Sequence, residues 1–359
     1  MSFEILTLRI KPLEPLMLRR SGEFDPSSRG VYTYAHSLPV PMPSTVIGML
    51  ISLLAPYTGI DVRNVSSWSN LLNLYSRVLK SLGIAIIKGP YIYHEAVGDL
   101  YTPLRIGKEL MLVSYTLIAS LFNYAGSTIT RALNEGFEKL STDELQKLVD
   151  LPEEVKKYAE EVKALEIYES WRVGIALVTR SGSGAKTVRE GYIYTAIFTS
   201  LPIDAEVRFK IVAERSDWAD RLPKVATLGG EQRVVRLEVS RDRDRFDEAV
   251  ESAAQNSSPA LAVLLSPMPL PENVSLRYLG LEDVIGLGFS LAKQRRKPLY
   301  RSLLEGSILL LQNALTGWRD LDVYRLTGLC NAVCNEFKIL SSIGYASFIP
   351  ILVPRGVSS

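Results

Sequence analysis

A chain of 359 residues outgrows a single hydrophobic core, and a composition of 47% hydrophobic and 22% charged residues excludes a disordered or low-complexity protein. A formal net charge of +2 excludes binding by bulk charge, so a nucleic-acid partner would have to be met by local clusters of Lys and Arg. With only Cys330 and Cys334 there is no disulfide framework, and a reducing cytoplasm is the expected compartment.

Residues 3–10 alternate well enough for a first, central strand with Leu6, Leu8 and Ile10 on one face. No leader pattern precedes it. Residues 12–43 are rich in Pro, Ser and Gly and read as a long functional loop. The pattern changes at STVIGMLISLLAPY, where Ser44 or Thr45 can cap a helix that is apolar nearly all round and therefore buried. Residues 81–104 read as a strand, a break at Gly89 and Pro90, and a second extended run. The apolar stretch 110–125 is interrupted by Ser114, Thr116, Ser120 and Asn123 and is too short to span a membrane. Residues 131–170 suggest short, partly solvated helices inserted on the sheet.

Residues 171–198 place two β-rich runs around a Gly- and Ser-rich basic tip, a protruding hairpin. AEVRFKIVAE and QRVVRLEV are strands on either side of a Gly229–Gly230 turn, and a second domain is expected to have begun there. RDRDRFDEAVESAAQ reads as a solvated helix whose opposite charges neutralise one another. ALAVLLSP is a buried strand, residues 285–311 form a hairpin with a strongly basic tip, VYRLTGLCNAVCNEFKIL is a helix, and ASFIPILV is a last strand. Strands and helices grouped around antiparallel sheets imply the α+β class. In the helix containing them, Cys330 and Cys334 share a face and read as buried, inert thiols, too few for zinc and wrongly spaced for a CxxC redox pair.

Catalytic chemistry finds little support. His36 and His94 are the only histidines, and neither has metal-ligand or acid–base neighbours at useful spacing. Gly182–Gly184 lacks the frame of a phosphate-cradling nucleotide loop. No metal and no cofactor is expected. The basic clusters are more informative. KQRRKPLYR gathers Lys293, Arg295, Arg296 and Lys297 beside Tyr300, the mixture that neutralises phosphates and stacks a base; the alternative is a solvated tip meeting an acidic protein. Arg180, Lys186 and Arg189 give the other hairpin a similar tip, where glycine lets backbone amides approach phosphate, or where the hairpin is simply a surface feature. Arg19 and Arg20 could flank a phosphate at the helix start near Ser44 and Thr45, or merely border the core.

PMPSTVIGML resembles the first-helix signature of the repeat-associated (RAMP) subunits of CRISPR effector complexes. KGPYIYHEAVGDLYTPL resembles that family's glycine-proline strand, VGIALVTR and REGYIYTA its paired central strands, and TLGGEQRVVRLEV its Leu-Gly-Gly-Glu-Arg motif. In that order they resemble the third Cmr subunit of type III-B complexes, although Gln232 interrupts the Glu-Arg pair and only Gly344 stands where relatives carry a Gly-rich loop. The resemblance implies two ferredoxin-like (RRM-like) domains with antiparallel sheets, a helical insertion and protruding β-hairpins, divided as residues 1–190 and 191–359. It implies a non-catalytic subunit that holds the 5′ tag of the CRISPR RNA and joins the large polymerase-like Cmr subunit to the backbone Cmr subunits. A RAMP-type endoribonuclease and a purely protein-binding spacer are the alternatives. Gly229 and Gly230 are better read as a tight turn, with Glu231 capping or pairing nearby, than as an RNA contact.

Overall fold

The computed structural model describes residues 3–18, 34–35, 37–62, 65, 67–106, 109–162, 165–179, 186–256, 260–272, 274–287, 289–290 and 295–353. β1 (Glu4–Pro12) alternates as expected: Leu6, Leu8 and Ile10 are buried on one face and Thr7 on the other. After β2 (Tyr34–Ala35), helix α1 (Pro43–Leu54) starts one residue before the expected cap. Pro43 opens the helix with Met42 as N-cap and no side-chain cap, so Ser44 lies inside the first turn. α2 (Trp68–Leu82) is capped by Ser67, whose Oγ accepts from the Asn70 amide.

β3 (Ile84–His94) does not break at Gly89–Pro90, as the sequence suggests; it continues through a cis Gly-Pro bond with a register shift between Lys88 and Tyr91. Glycine is required there by close approach rather than by a turn. A Cβ on Gly89, at φ 138°, would lie 2.8 Å from the Phe209 ring. The turn comes later, at residues 95–98, and leads into β4 (Asp99–Ile106) and β5 (Glu109–Ser114).

The insertion consists of two long helices, not several short ones: α3 (Tyr115–Glu135), capped by Ser114, and α4 (Thr142–Val162), which carries Pro152 within it. A long antiparallel hairpin follows, β6 (Tyr168–Thr179) and β7 (Lys186–Ser200), as the sequence predicts. Then come β8 (Ala205–Ala213), β9 (Val225–Leu228) and β10 (Arg233–Ser240). These three join the first strands in one antiparallel sheet of order β5-β4-β3-β8-β1-β10-β9. The division expected between residues 190 and 191 therefore falls within β7, and strands from both sides of it share this sheet. The sheet's inner face packs on α1 and α2, with Leu6, Phe209, Val46 and Val78 in one core.

α5 (Arg245–Gln255) has a full capping box, Asp244 with Asp247. β11 (Ala260–Leu264) is buried at every residue, as expected of ALAVLLSP. Next come β12 (Met268–Pro269), β13 (Tyr278–Leu279), β14 (Glu282–Gly286), β15 (Phe289–Ser290), β16 (Arg295–Arg296), β17 (Leu299–Leu303) and β18 (Ile308–Leu311). The long helix expected over 323–340 is in fact α6 (Val323–Leu326), a 3-10 turn at Cys330–Ala332, and α7 (Asn335–Ser342), after which β19 (Phe348–Leu352) ends the described chain's secondary structure. Because that helix is broken, Cys330 and Cys334 share no helical face, and both are exposed rather than buried. The second sheet has order β13-β18-β11-β19, and its core merges with α3, α5 and the outer face of the large sheet. The fold is thus mixed α and β with antiparallel sheets. Among the described residues no helix is long and apolar enough to cross a membrane.

Candidate nucleic-acid interface

The basic hairpin forms as expected. β14 and β17 pair antiparallel, and nearer its tip β15 pairs with β16. Arg295 and Arg296 are β16, of which the backbone alone is described, and Lys293 lies outside the described residues. The foot of the hairpin departs from the alternative reading of a solvated tip. Lys297 is only 9% exposed, with its ammonium 5.8 Å from the centre of the Trp68 ring. Burial pushes its pKa down from 10.5 to about 8.

Tyr300 also turns inward. Its hydroxyl accepts from Trp68 Nε1 at 2.8 Å and donates to Glu336 Oε1, and its ring meets Phe337 edge-on at 6.0 Å. Burial and the Glu336 carboxylate raise its pKa. The half-buried ring is thus anchored by its hydroxyl and by Phe337. Trp68 Nε1 donates to Glu336 as well, at 2.7 Å, so α2, the hairpin and α7 are tied at one point.

Ser44 serves as a strut. It is buried, and its Oγ donates to the Leu287 carbonyl at 2.8 Å, fastening α1 to the strand that leads into the basic tip. The Thr45 amide donates to the Met42 carbonyl at 2.8 Å, and that of Val46 reaches the same oxygen at 3.4 Å. The start of α1 is thus packed inside the protein, an arrangement that does not favour the expected phosphate site. Pro43 sits against Gly344, so the single glycine of SIGYASF serves close packing here. Arg19 and Arg20 lie outside the described residues.

In the other hairpin, Lys186 and Arg189 belong to β7, with the backbone alone described, and Arg180 lies outside the described residues. The structure adds a basic feature the sequence reading missed. The buried Phe198 ring has two guanidinium groups near it, Arg172 at 4.8 Å and Arg233 at 4.5 Å from its centre. Arg172 faces Ala196 in the β6–β7 register and is therefore diagonal to Phe198. Arg233 comes from the TLGGEQR segment and pairs with Glu14 at 2.7 Å. The Val234 amide and Arg233 together hold the Glu14 carboxyl below its ordinary range. The missing signal is the hairpin register, which shifts between Ile175 and Leu177 and so cannot be counted back from the tip.

TLGGEQR itself is a turn, as expected. The Gly230 amide donates to the Met17 carbonyl at 2.8 Å, and a Cβ on Gly229, at φ 73°, would lie 2.7 Å from that oxygen. Its two glycines clasp the chain at Met17.

The acidic residues of RDRDRFDEAV are not all solvated. Asp244 and Asp247 are buried in an ion-pair ladder across the outer face of the large sheet. Arg9 meets Glu206 at 2.7 Å, Glu206 meets Arg208 at 2.7 Å, Arg208 meets Asp244 at 3.3 Å, and Lys210 meets Asp247 at 2.6 Å. The Tyr91 hydroxyl donates to Asp244 at 2.7 Å. The sequence conceals this, because the cations that claim these carboxylates lie in β1 and β8. Arg243–Glu251 and Arg245–Glu248 do form the exposed pairs expected of the segment. Among the described residues no group of three or more His, Cys, Asp or Glu side chains is placed to hold a metal ion. His94 ends β3 opposite Asp99, and His36 lies outside the described residues.

Comparison with known proteins gives these features a family. The family model described as CRISPR-associated protein (Cas_Cmr3) matches residues 8–111 and 135–315. The CRISPR system CMR subunit Cmr3 of Saccharolobus solfataricus is 30% identical over 309 residues, 83% of this chain and 84% of the relative. A chain in the cryo-EM structure of the type III-B Cmr-beta complex bound to cognate target RNA superposes with a TM-score of 0.62 at 28% identity, covering 94% of this chain and 95% of that one. A chain from the same kind of complex with target RNA and AMPPnP gives 0.63 at 24% identity, covering 95% and 98%, and shows the shared fold. With a family model that spans most of the sequence and a relative alike over more than four-fifths of it, the chain belongs to the Cmr3 family of CRISPR-associated proteins.

Proposed function

We propose that this chain is a non-catalytic, RNA-holding subunit of a type III-B Cmr effector complex. It grips the 5′ tag of the CRISPR RNA and bridges the large polymerase-like subunit to the backbone subunits. The observation that carries this reading is the likeness over 94% of the chain to a subunit of an RNA-bound Cmr-beta complex. The grip is assigned to the two basic segments, Arg295, Arg296 and Lys293 in one and Arg180, Lys186 and Arg189 in the other, with Arg19 and Arg20 after β1 in the sequence. Lysine and arginine gathered on narrow hairpins neutralise phosphates along a single strand without reading its sequence.

The same reading holds both sheets to be ferredoxin-like. In the large sheet, β10-β1-β8-β3 repeats the 4-1-3-2 strand order of a split βαβ unit, with α1 and α2 as its first crossover. In the small sheet, β19-β11-β18-β13 gives the same order, with α6 and α7 as its second crossover. Each unit then keeps one of the two expected helical layers.

Isolation of the chain from its source cells tests the proposal: a short RNA of uniform 5′ end should accompany it together with other Cmr subunits. Binding of that RNA by the purified protein should weaken with salt, and the Arg295→Ala/Arg296→Ala variant should bind less with a shallower salt slope. An unchanged affinity in that variant, or site-specific cleavage of repeat RNA that His94→Ala abolishes, would sink it.

A further inference from the structure

The ion-pair ladder on the outer face of the large sheet stops short of the sheet's end. Arg9 faces Glu238 across β1 and β10 and meets it at 3.5 Å. One rung further, Lys11 stands directly opposite Arg236, and Arg236 stands opposite Val225 of β9. Like charges at directly opposed positions of an antiparallel pair repel. Glu238, two residues along on the same face, goes to Arg9, and among the described residues neither Lys11 nor Arg236 has an ion pair or a side-chain hydrogen bond. Arg236 is exposed and Lys11 partly so.

This cationic rung ends at an open edge, because β9 pairs with β10 alone. The Leu237 amide donates to the Lys224 carbonyl at 2.9 Å, and hydrogen-bonded positions alternate along an antiparallel pair. Ala226 and Leu228 therefore turn their main-chain groups to β10, and Val225 and Thr227 turn theirs to the free edge. The other side of β10 agrees. Val234, opposite Thr227, accepts the Leu13 amide on its carbonyl and donates its own amide to Glu14. Among the described residues no further backbone hydrogen bond reaches Val225 or Thr227. Their side chains are exposed, Val225 at 53%, whereas Ala226 and Leu228 are buried on the inner face. The strand, Val-Ala-Thr-Leu, carries neither the charge nor the proline that commonly guards an open edge.

We propose that the β9 edge docks an extended segment of a protein partner in which acidic side chains alternate with apolar ones. Added as a further strand, such a segment would take up the free main-chain groups of Val225 and Thr227. Its apolar side chains would continue the inner face beside Ala226 and Leu228. Its acidic side chains would fall on the outer face, two strand spacings or about 10 Å from the backbone of Arg236, a gap that an arginine and a glutamate span together across the short Val225. Lys11, behind Arg236, repels the guanidinium toward that edge. RNA phosphates would answer the charge but not the unpaired main chain or the apolar side. The surface rests on the subunit reading only for the source of the segment, another protein of the complex.

The test uses the full chain and a labelled peptide of five Glu-Val repeats, read by fluorescence anisotropy, with five Lys-Val repeats and a short single-stranded oligoribonucleotide as the other probes. The wild type should bind the Glu-Val peptide, less so as salt rises, and should not bind the Lys-Val peptide. Arg236→Ala, Lys11→Glu and Thr227→Pro should each bind it about fivefold more weakly. Thr227→Pro removes one outward amide and no charge and leaves the bonds to β10 in place, so its Tm should stay near that of the wild type. Lys11→Glu converts the repulsion into a cross-strand ion pair and should raise the Tm by about 1–3 °C while it weakens docking. No binding of the Glu-Val peptide, or equal binding by the wild type and all three variants, overturns the site. A Tm of Lys11→Glu no higher than that of the wild type overturns the charge argument. Peptide binding that Lys11→Glu and Arg236→Ala weaken but Thr227→Pro does not, with RNA binding weakened in the same two variants, overturns the strand partner in favour of a phosphate surface. Failure of the subunit reading looks different: the peptide docks as described, but no other Cmr subunit accompanies the chain from its source cells.

Discussion

Lys297 has a consequence for stability that does not depend on any ligand. Its pKa falls from 10.5 to about 8 on folding, so between those values the unfolded chain binds more protons than the folded one. Stability contributed by this group therefore rises as pH climbs from about 8 to 10.5, and below pH 8 the buried charge opposes folding by roughly 3 kcal/mol. Lys297→Met is expected to be more stable than the wild type at pH 7 in urea unfolding, with the difference shrinking steadily above pH 8. A constant difference across that range would show that burial of Lys297 does not depress its pKa. Density of charge was legible in KQRRKPLYR, but direction was not. Arg295, Arg296 and Lys297 read alike in sequence, and what buries Lys297 includes Trp68, more than two hundred residues away. The hydroxyl partners of Tyr300 were hidden for the same reason, since Trp68 and Glu336 both lie far along the chain.

At the level of elements, the sequence was most reliable where a segment's own pattern decides its structure. β1, β8, β11, β19 and the β6–β7 and β14–β17 hairpins stand where alternation and turn residues place them. It failed where a distant neighbour decides. Gly89–Pro90 looks like a break, but Phe209 presses on Gly89 and the strand passes through. The segment before α5 looks like a solvated run of charges, but Arg208 and Lys210 draw Asp244 inward. Asp244→Asn keeps the N-cap and removes the charge. It should cost about 3 kcal/mol because it strands buried cations, whereas Arg245→Ala, losing an exposed pair with Glu248, should cost under about 1 kcal/mol. Urea titrations of the two variants check this, and equal costs would mean that the ladder carries no special weight. The Arg172–Phe198–Arg233 cluster was hidden for a related reason, because it joins β10 to a hairpin whose register shifts along its length.

For the whole molecule, the α+β class and the family were within reach of the sequence, because short motifs in a fixed order identify a family even when each alone is weak. The partition of the chain was not. β1 lies between β8 and β10, so the sheet needs residues from both sides of position 190. Fragments 1–190 and 191–359 expressed separately should each lack a cooperative unfolding transition by circular dichroism, and mixing them should restore one. A cooperative transition in fragment 1–190 alone would show that the first strands suffice.

That arrangement also sets a schedule for biosynthesis. Ile10 pairs with Val207 and with Leu237, so the first strand to be made waits for almost two hundred residues before either edge is covered. At about 5–20 residues per second, the wait lasts roughly 10–40 s, with Leu6, Leu8 and Ile10 presenting an apolar ribbon meanwhile. α1 and α2 leave the ribosome within that interval and pack on the same face of β1 in the finished protein, so they are its first shelter. Slowing translation between α2 and β8 would lengthen the vulnerable period and lower the yield of native protein without altering a single residue.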